Sequence, residues 1–245
     1  MIPDSKTVRL LDQYETRFRW DATHSRWLIG LSNSSTIKRW LTWNELKTFT
    51  TNEPTIQETL FNGPIDTQSK VRAYALFDST IPIEGGTVTG LKQIHRFLFW
   101  GLYQGAGKIR TVAISKGGFT FALPQYLDQT LTKIEAMSEQ TLDKIVDKYV
   151  EMNVAHPFMD GNGRSTRLWL NRILKKRLAA WVDWSKIEVE SYHAAMERSV
   201  VDAEPLKTLL LEALTPKIDD LLTYRQSIDQ SYAYEEQEGV SIDTP

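Results

Sequence analysis

The chain has 245 residues, 41% of them hydrophobic and 24% charged, so it can bury a sizeable core and is neither a disordered nor a fibrous chain. Its 29 basic and 31 acidic residues nearly cancel, which excludes polyanion binding by bulk charge and leaves nucleic acid off the list of expected partners. Cysteine is absent, which removes disulfides, thiolate zinc sites and a cysteine nucleophile together; with histidine only at His24, His95, His156 and His193, any metal must rely mostly on oxygen ligands. The N-terminus has no apolar h-region and no stretch of about 18 apolar residues occurs, so a soluble, cytoplasmic protein with no membrane partner is expected.

The first 65 or so residues hold Trp20, Trp27, Trp40 and Trp43, half of the 8 tryptophans. Alternation over Arg26–Gly30 and the polar run Ser32–Ser35 predict a strand and loop, and Thr42–Leu46 has the polar start of a short helix. Thr50–Asp66, with Pro54, Gly63 and Pro64, reads as a linker. Leu91, Ile94, His95, Leu98 and Leu102 recur at helical steps. Lys108–Ile114, Ser115-Lys116-Gly117-Gly118 and Phe119-Thr120-Phe121-Ala122 form two alternating runs around a double glycine, which predicts a hairpin. Helices are expected over Tyr126–Met137, from about Leu142 to before Pro157, over Arg164–Leu178, Val189–Met196 and Pro205–Leu214, and from Ile218 to about Glu236. The core is thus mainly α, a helical bundle and not a parallel nucleotide-binding sheet.

The densest chemistry lies in the loop His156–Arg167. Gly161 and Gly163 permit positive φ and close approach to a ligand, and Asn162 between them can add a side-chain amide, so the turn can present several donors to one anion. The helix that follows offers its N-terminal N–H groups to phosphate. Arg164 and Arg167 stand three apart in its first turn, where positive charge opposes the macrodipole and calls for an anion. Asp160 suits Mg²⁺ held against phosphates. His156, with an ordinary pKa near 6.5, suits proton abstraction. Together they describe phosphoryl or nucleotidyl transfer. Arg172 and Lys175–Arg177 read as a solvated face, and His95 as structural.

This loop resembles the Fic (filamentation induced by cAMP) motif, H-P-F-x-[DE]-G-N-G-R-x-x-R, at every fixed position. The similarity extends through Gly90–His95 and Gly105–Arg110 upstream and to the helices ending near Leu214, about 125 to 150 residues. The resemblance implies a Fic-fold helical bundle with a small β-hairpin flap, which transfers AMP from ATP to a hydroxyl of a target protein. In that reading His156 is the base, Asp160 the Mg²⁺ ligand, and Gly161, Asn162, Gly163, Arg164 and Arg167 bind ATP. Gly163 favours AMP over phosphate transfer, because the kinase-like Doc branch has lysine there. The hairpin Ser115, Lys116, Gly117, Gly118, Phe119, Thr120, Phe121 matches the flap that docks the target as an added strand, with Phe119 and Phe121 alternating to one face.

The tail from Lys217 has two basic and seven acidic residues, a net of −5, and its apolar stripe predicts a packed helix. Ser231-Tyr232-Ala233-Tyr234-Glu235 resembles the family's inhibitory motif [ST]-x-x-x-E-[GN], with Glu236 departing at the last position. The resemblance implies that Glu235, which shares a helical face with Ser231 as part of the inhibitory motif, pairs with Arg167 and fills the room of the γ-phosphate. Tyr232 and Tyr234 are then candidate self-modification sites. Expected boundaries are a Trp-rich N-terminal extension (1–66), a catalytic core (67–215) and a C-terminal helix (216–245). A catalytically silent Fic-fold interaction module, or another Fic-type phosphoryl or nucleotidyl transferase, is the alternative, and self-association is left open.

Overall fold

A computed structural model of the chain describes residues 7–11, 14–21, 26–32, 62–77 and 83–236. The predicted helix start at 42–46 and most of the predicted linker lie outside the described residues. The chain divides into two compact units, Met1–Pro82 and Ile83–Pro245.

The N-terminal unit holds a three-stranded antiparallel sheet, β1 (Thr7–Leu11), β2 (Tyr14–Asp21) and β3 (Arg26–Ser32), in the order β1-β2-β3. β2 and β3 pair from Glu15 with Ser32 to Asp21 with Arg26, and a bulge interrupts β1 between Arg9 and Leu11. The single predicted strand at 26–30 is therefore one of three. Helix α1 (Ile65–Ala75) packs beside β1, which assigns it to this unit, whereas the sequence placed a boundary near residue 66.

The second unit is a helical bundle. Its helices are α2 (Val88–Phe99), α3 (Pro124–Glu135), α4 (Leu142–Ala155), α5 (Asn162–Leu178), α6 (Val189–Arg198), α7 (Glu204–Glu212) and α8 (Leu221–Glu236). A hairpin of β4 (Ser115–Lys116) and β5 (Phe119–Thr120) lies between α2 and α3 in sequence, and β6 (Trp181–Val182) pairs with β7 (Leu214–Thr215).

Capping explains several boundaries. Thr87 accepts from Gly90 N–H at 2.9 Å to start α2, and Thr141 accepts from Lys144 N–H at 3.3 Å to start α4. Helix α4 stops at Ala155 because Pro157 cannot continue it. Helix α5 is the central element. Leu168, Trp169, Leu170, Ile173 and Leu174 are buried along it, against Leu91, Ile94 and Leu98 of α2 and Ile145, Val146 and Met152 of α4. Each such side chain contributes about 1.5 to 3 kcal/mol on burial, so α5 is held in place regardless of the strained loop at its start. Its polar groups are matched as well. Trp169 Nε1 donates to Thr87 O at 2.9 Å, and Asn171 exchanges hydrogen bonds with Val182 N–H and C=O.

Helix α8 returns along this core. Ser227 Oγ accepts from Trp184 N–H at 3.0 Å, Gln230 donates to Ile187 O at 3.0 Å, and Tyr224, Ile228, Tyr232 and Tyr234 are buried. It begins at Leu221 and not Ile218, since Asp220 Oδ1 accepts from Thr223 N–H and marks the start. The basic residues read as a solvated face are partly paired, Lys176 with Glu84 at 3.0 Å and Arg177 with Glu139 at 2.8 Å.

Candidate active site

The loop between α4 and α5 is built by two left-handed residues. His156 caps α4 at φ 47° and ψ 62°, and its N–H donates to Met152 O at 3.1 Å. Gly161 sits at φ 71°, where an added Cβ would come within 2.4 Å of the Phe99 ring, so glycine is required for both conformation and space. Gly163 differs from its expected role. It lies inside α5 without positive φ, and what it supplies is room, because a Cβ there would sit 2.5 Å from Glu235 Oε1 and 2.9 Å from Arg167 Nη1.

Asn162 is also corrected. Its Oδ1 accepts from Phe158 N–H and its Nδ2 donates to Phe158 O, both at 2.8 Å, and the residue is buried. The amide that the sequence offered to an anion is therefore spent on closing the loop. No side chain caps α5, and no acidic residue stands in its first turn, so the positive end of the helix dipole stays available.

Asp160 is exposed, its side chain 59% accessible. Its Oδ1 accepts from Gly161 N–H at 2.6 Å and from Arg164 Nη2 at 3.2 Å. No group of three or more His, Asp or Glu gathers among the described residues. A lone exposed carboxylate fits Mg²⁺, which is commonly held by one or two carboxylates plus substrate phosphates, and does not fit an all-protein metal cage.

The two arginines do not lie side by side. Arg164 is buried with its guanidinium 4.8 Å over the Phe99 ring. Arg167, also buried, donates from Nε to Ser231 Oγ at 2.8 Å and from Nη2 to Ser231 O at 2.6 Å and Glu235 Oε1 at 2.5 Å. The Tyr192 and Tyr234 rings stack on each other at 4.4 Å and lie 5.5 and 5.1 Å from this guanidinium. Burial opposes both charges of the pair. The Arg167 guanidinium nevertheless holds the Glu235 carboxyl below the usual carboxylate range, with help from Arg164, and Glu235 in turn raises the Arg167 pKa. The Glu235 carboxylate thus lies beside Gly163 and Arg167 in the first turns of α5.

His156 is half-buried, its ring stacked on Phe121 at 3.8 Å between centroids and 20° between planes. Burial lowers its pKa to about 4, with Lys116 and Arg110 adding to the shift, while a backbone hydrogen bond with Asn153 and the Glu235 charge oppose it. The imidazole is neutral at pH 7 and free to accept a proton, though a weaker base than its ordinary value implied. In the hairpin, Ser115 pairs with Thr120 and Lys116 with Phe119 around Gly117 at φ 56° and Gly118 at φ 80°. Phe119 points outward, 38% accessible, and Phe121 turns to His156.

Three residues beyond the expected set shape this site. His95, read from sequence as structural, is buried beside the loop. Its Nδ1 accepts from Gly107 N–H at 2.8 Å, so its proton is on Nε2, which faces Asp160 O at 2.9 Å; Tyr103 OH donates to the same carbonyl at 3.2 Å. Burial holds the His95 pKa down to about 4, against the pull of Asp160. Arg110 donates from Nε to His156 O at 2.8 Å. The signal for His95 was present, since a histidine on the buried stripe of α2 needs polar partners; nothing local pointed to Tyr103 or Arg110. Tyr232 and Tyr234 are buried, and Tyr234 OH donates to Trp184 O and Ile187 O at 3.1 and 2.9 Å, so neither hydroxyl is accessible in this conformation.

Residues 86–174 match the Fic/DOC family. The chain is similar to the probable protein adenylyltransferase Fic of Salmonella typhimurium, 27% identical over 163 residues that cover 60% of this chain and 80% of that protein. It is 28% identical to the probable protein adenylyltransferase y4lH of Sinorhizobium fredii over 44% of this chain, and it spans 62% of that relative's length. Of the protein adenylyltransferase VbhT of Bartonella schoenbuchensis, 28% identical, it spans 28%. Among solved structures, the BepC protein of Bartonella tribocorum, crystallised with AMPPNP, superposes with a TM-score of 0.54 at 21% identity over 62% of this chain and 85% of that one. This likeness shows the fold. No helix among the described residues is long and apolar enough to cross a membrane.

Proposed function

We propose that the protein is an ATP-dependent protein adenylyltransferase whose C-terminal helix α8 restrains it. The observation that carries this is the Glu235 carboxylate seated against Gly163 and Arg167, an anion in the place where the α5 N-terminus and the two arginines would receive phosphate. Names of relatives similar over 44 to 60% of this chain support the choice of AMP transfer.

In this reading a target segment lies along the hairpin and presents a hydroxyl to His156, whose neutral imidazole takes the proton. The hydroxyl oxygen bonds to the α-phosphorus of ATP as the bond to the bridging oxygen breaks. Pyrophosphate leaves into the turn Gly161–Gly163 beside Arg164 and Arg167. Mg²⁺, when bound, would be held by Asp160 and would neutralise phosphate charge there.

Glu235 and the terminal phosphate compete for Arg167, so the resting protein takes up ATP weakly or unproductively. Ser231 keeps two hydrogen bonds to Arg167 that do not depend on Glu235. The test is incubation of the protein and its Glu235→Gly variant with lysate and ATP labelled on either the α- or the γ-phosphate. Label from the α-position only is the expected result. Label from the γ-position would make the protein a kinase, and none from either would leave a binding module.

A further inference from the structure

Arg110 is 4% accessible, and every hydrogen bond of its side chain goes to a main-chain carbonyl. Nε donates to His156 O at 2.8 Å, Nη1 to Val112 O at 2.7 Å, and Nη2 to Ala122 O at 2.5 Å and Ala155 O at 3.2 Å. Its own N–H donates to Pro157 O at 2.9 Å. Among the described residues no carboxylate pairs with this cation, and burial lowers its pKa. The carbonyls of Ala155 and His156 supply the negative end of α4 in its place.

The four carbonyls belong to two separate structures. Ala155 and His156 end α4 and carry the imidazole, whereas Val112 and Ala122 lie at the roots of the two hairpin legs. His156 holds a left-handed backbone without being glycine, directly before Pro157, a conformation that persists only where the surroundings impose it. The guanidinium is a rigid planar fork with five donors, so it sets all four carbonyls at fixed mutual positions; a lysine ammonium on a flexible stem cannot do so. Two further ties join the same pair of structures. Ala122 N–H donates to Val154 O at 3.3 Å, and Phe121 stacks on the His156 ring.

We infer that Arg110 is a positioning residue that locks the hairpin in register with His156, so that a hydroxyl presented along the hairpin meets the imidazole at one fixed distance. The consequence for transfer rests on the adenylyltransferase reading. The mechanical coupling does not.

The experiment compares the full chain with Arg110→Lys and Arg110→Met by amide hydrogen exchange, with ATP affinity by calorimetry in parallel. Exchange across residues 112–122 and 154–158 should accelerate together by at least about tenfold, while α5 keeps its protection and ATP affinity stays within about twofold. In the Glu235→Gly background the same substitutions should lower kcat for a protein target by roughly 10- to 100-fold and leave KM for ATP unchanged. Loosening of the hairpin alone, or of neither segment, overturns the coupling. Loss of protection in α5 as well would make Arg110 a general core residue and overturn it equally. If the Glu235→Gly parent transfers no AMP, the functional reading fails while the exchange data still decide the coupling.

Discussion

Replacing Glu235 by glycine should weaken the free protein and at the same time strengthen its hold on ATP. Arg167 is buried, and its shortest contact is Glu235 Oε1 at 2.5 Å. Breaking a buried pair by removing one partner costs about 3 to 5 kcal/mol. The lower figure applies here, because the Glu235 side chain keeps 20% exposure and Arg167 retains Ser231 Oγ, Ser231 O and two aromatic faces. At about 2 to 4 °C per kcal/mol for a chain of this size, the Tm of the free variant should fall by roughly 6 to 12 °C. ATP then restores an anion to Arg167. A charge-assisted hydrogen bond of about 1.5 to 3 kcal/mol corresponds to a factor of roughly 10 to 150, so labelling at low ATP should rise at least about tenfold. ATP with Mg²⁺ should also raise the Tm of the variant more than that of wild type. Thermal unfolding with and without nucleotide, together with labelling across ATP concentrations, measures both signs. Glu236→Gly carries the same helix-propensity cost of about 1 kcal/mol, so it should lower the Tm by no more than about 2 to 4 °C and leave labelling and the nucleotide-induced Tm shift unchanged. Equal labelling and equal nucleotide-induced Tm shifts in Glu235→Gly and wild type would refute the competition.

His156→Ala should lose transfer by about 10²- to 10⁴-fold with ATP affinity retained, and the acid limb of kcat/KM in Glu235→Gly should fall near pH 4 instead of 6.5, because His156 is held at about 4; a limb at 6.5 would show the ring to be solvated. His95 and His156 are both neutral in the folded chain above about pH 4 and protonate near 6.5 once unfolded. Stability should therefore drop as pH falls from about 6.5 toward 4, by roughly 2 kcal/mol per histidine between pH 7 and 5, and urea titrations of His95→Gln should show about half of that loss. Gly163→Ala, whose Cβ would lie 2.5 Å from Glu235 Oε1, should lower nucleotide affinity at least about tenfold even in Glu235→Gly; unchanged affinity in calorimetry would mean that phosphate does not approach this residue. Asn162→Ala removes both bonds to Phe158 and should cost about 2 to 3 kcal/mol in denaturant unfolding, an effect that a merely exposed amide would not show.

The sequence by itself determined whatever could be written in local terms. Twelve consecutive residues, His156–Arg167, carried the loop and its chemistry, because a turn followed by a helix start is built from neighbours in the chain. The helices of the second unit were legible from spacing, whereas α1 (Ile65–Ala75) was not, the Gly117-Gly118 hairpin was legible from its turn chemistry, and Ser231 and Glu235 stood out by resemblance to a family motif in an acidic tail. Details inside the loop were misjudged where one residue type supports two uses: Asn162 has an amide to offer a ligand or the backbone, and only burial beside Phe158 selects the second. Contacts between distant segments were decided by the tertiary structure alone. His95 reaches Asp160 across 65 residues, Arg110 reaches His156 across 46, and Ser231 accepts from Arg167 across 64. Each joins a side chain to a partner whose position depends on how α2, α4, α5 and α8 pack. The pKa of His156 belongs to the same class, since burial against Phe121 and the nearby cations, and not the residue type, brings it from 6.5 to about 4.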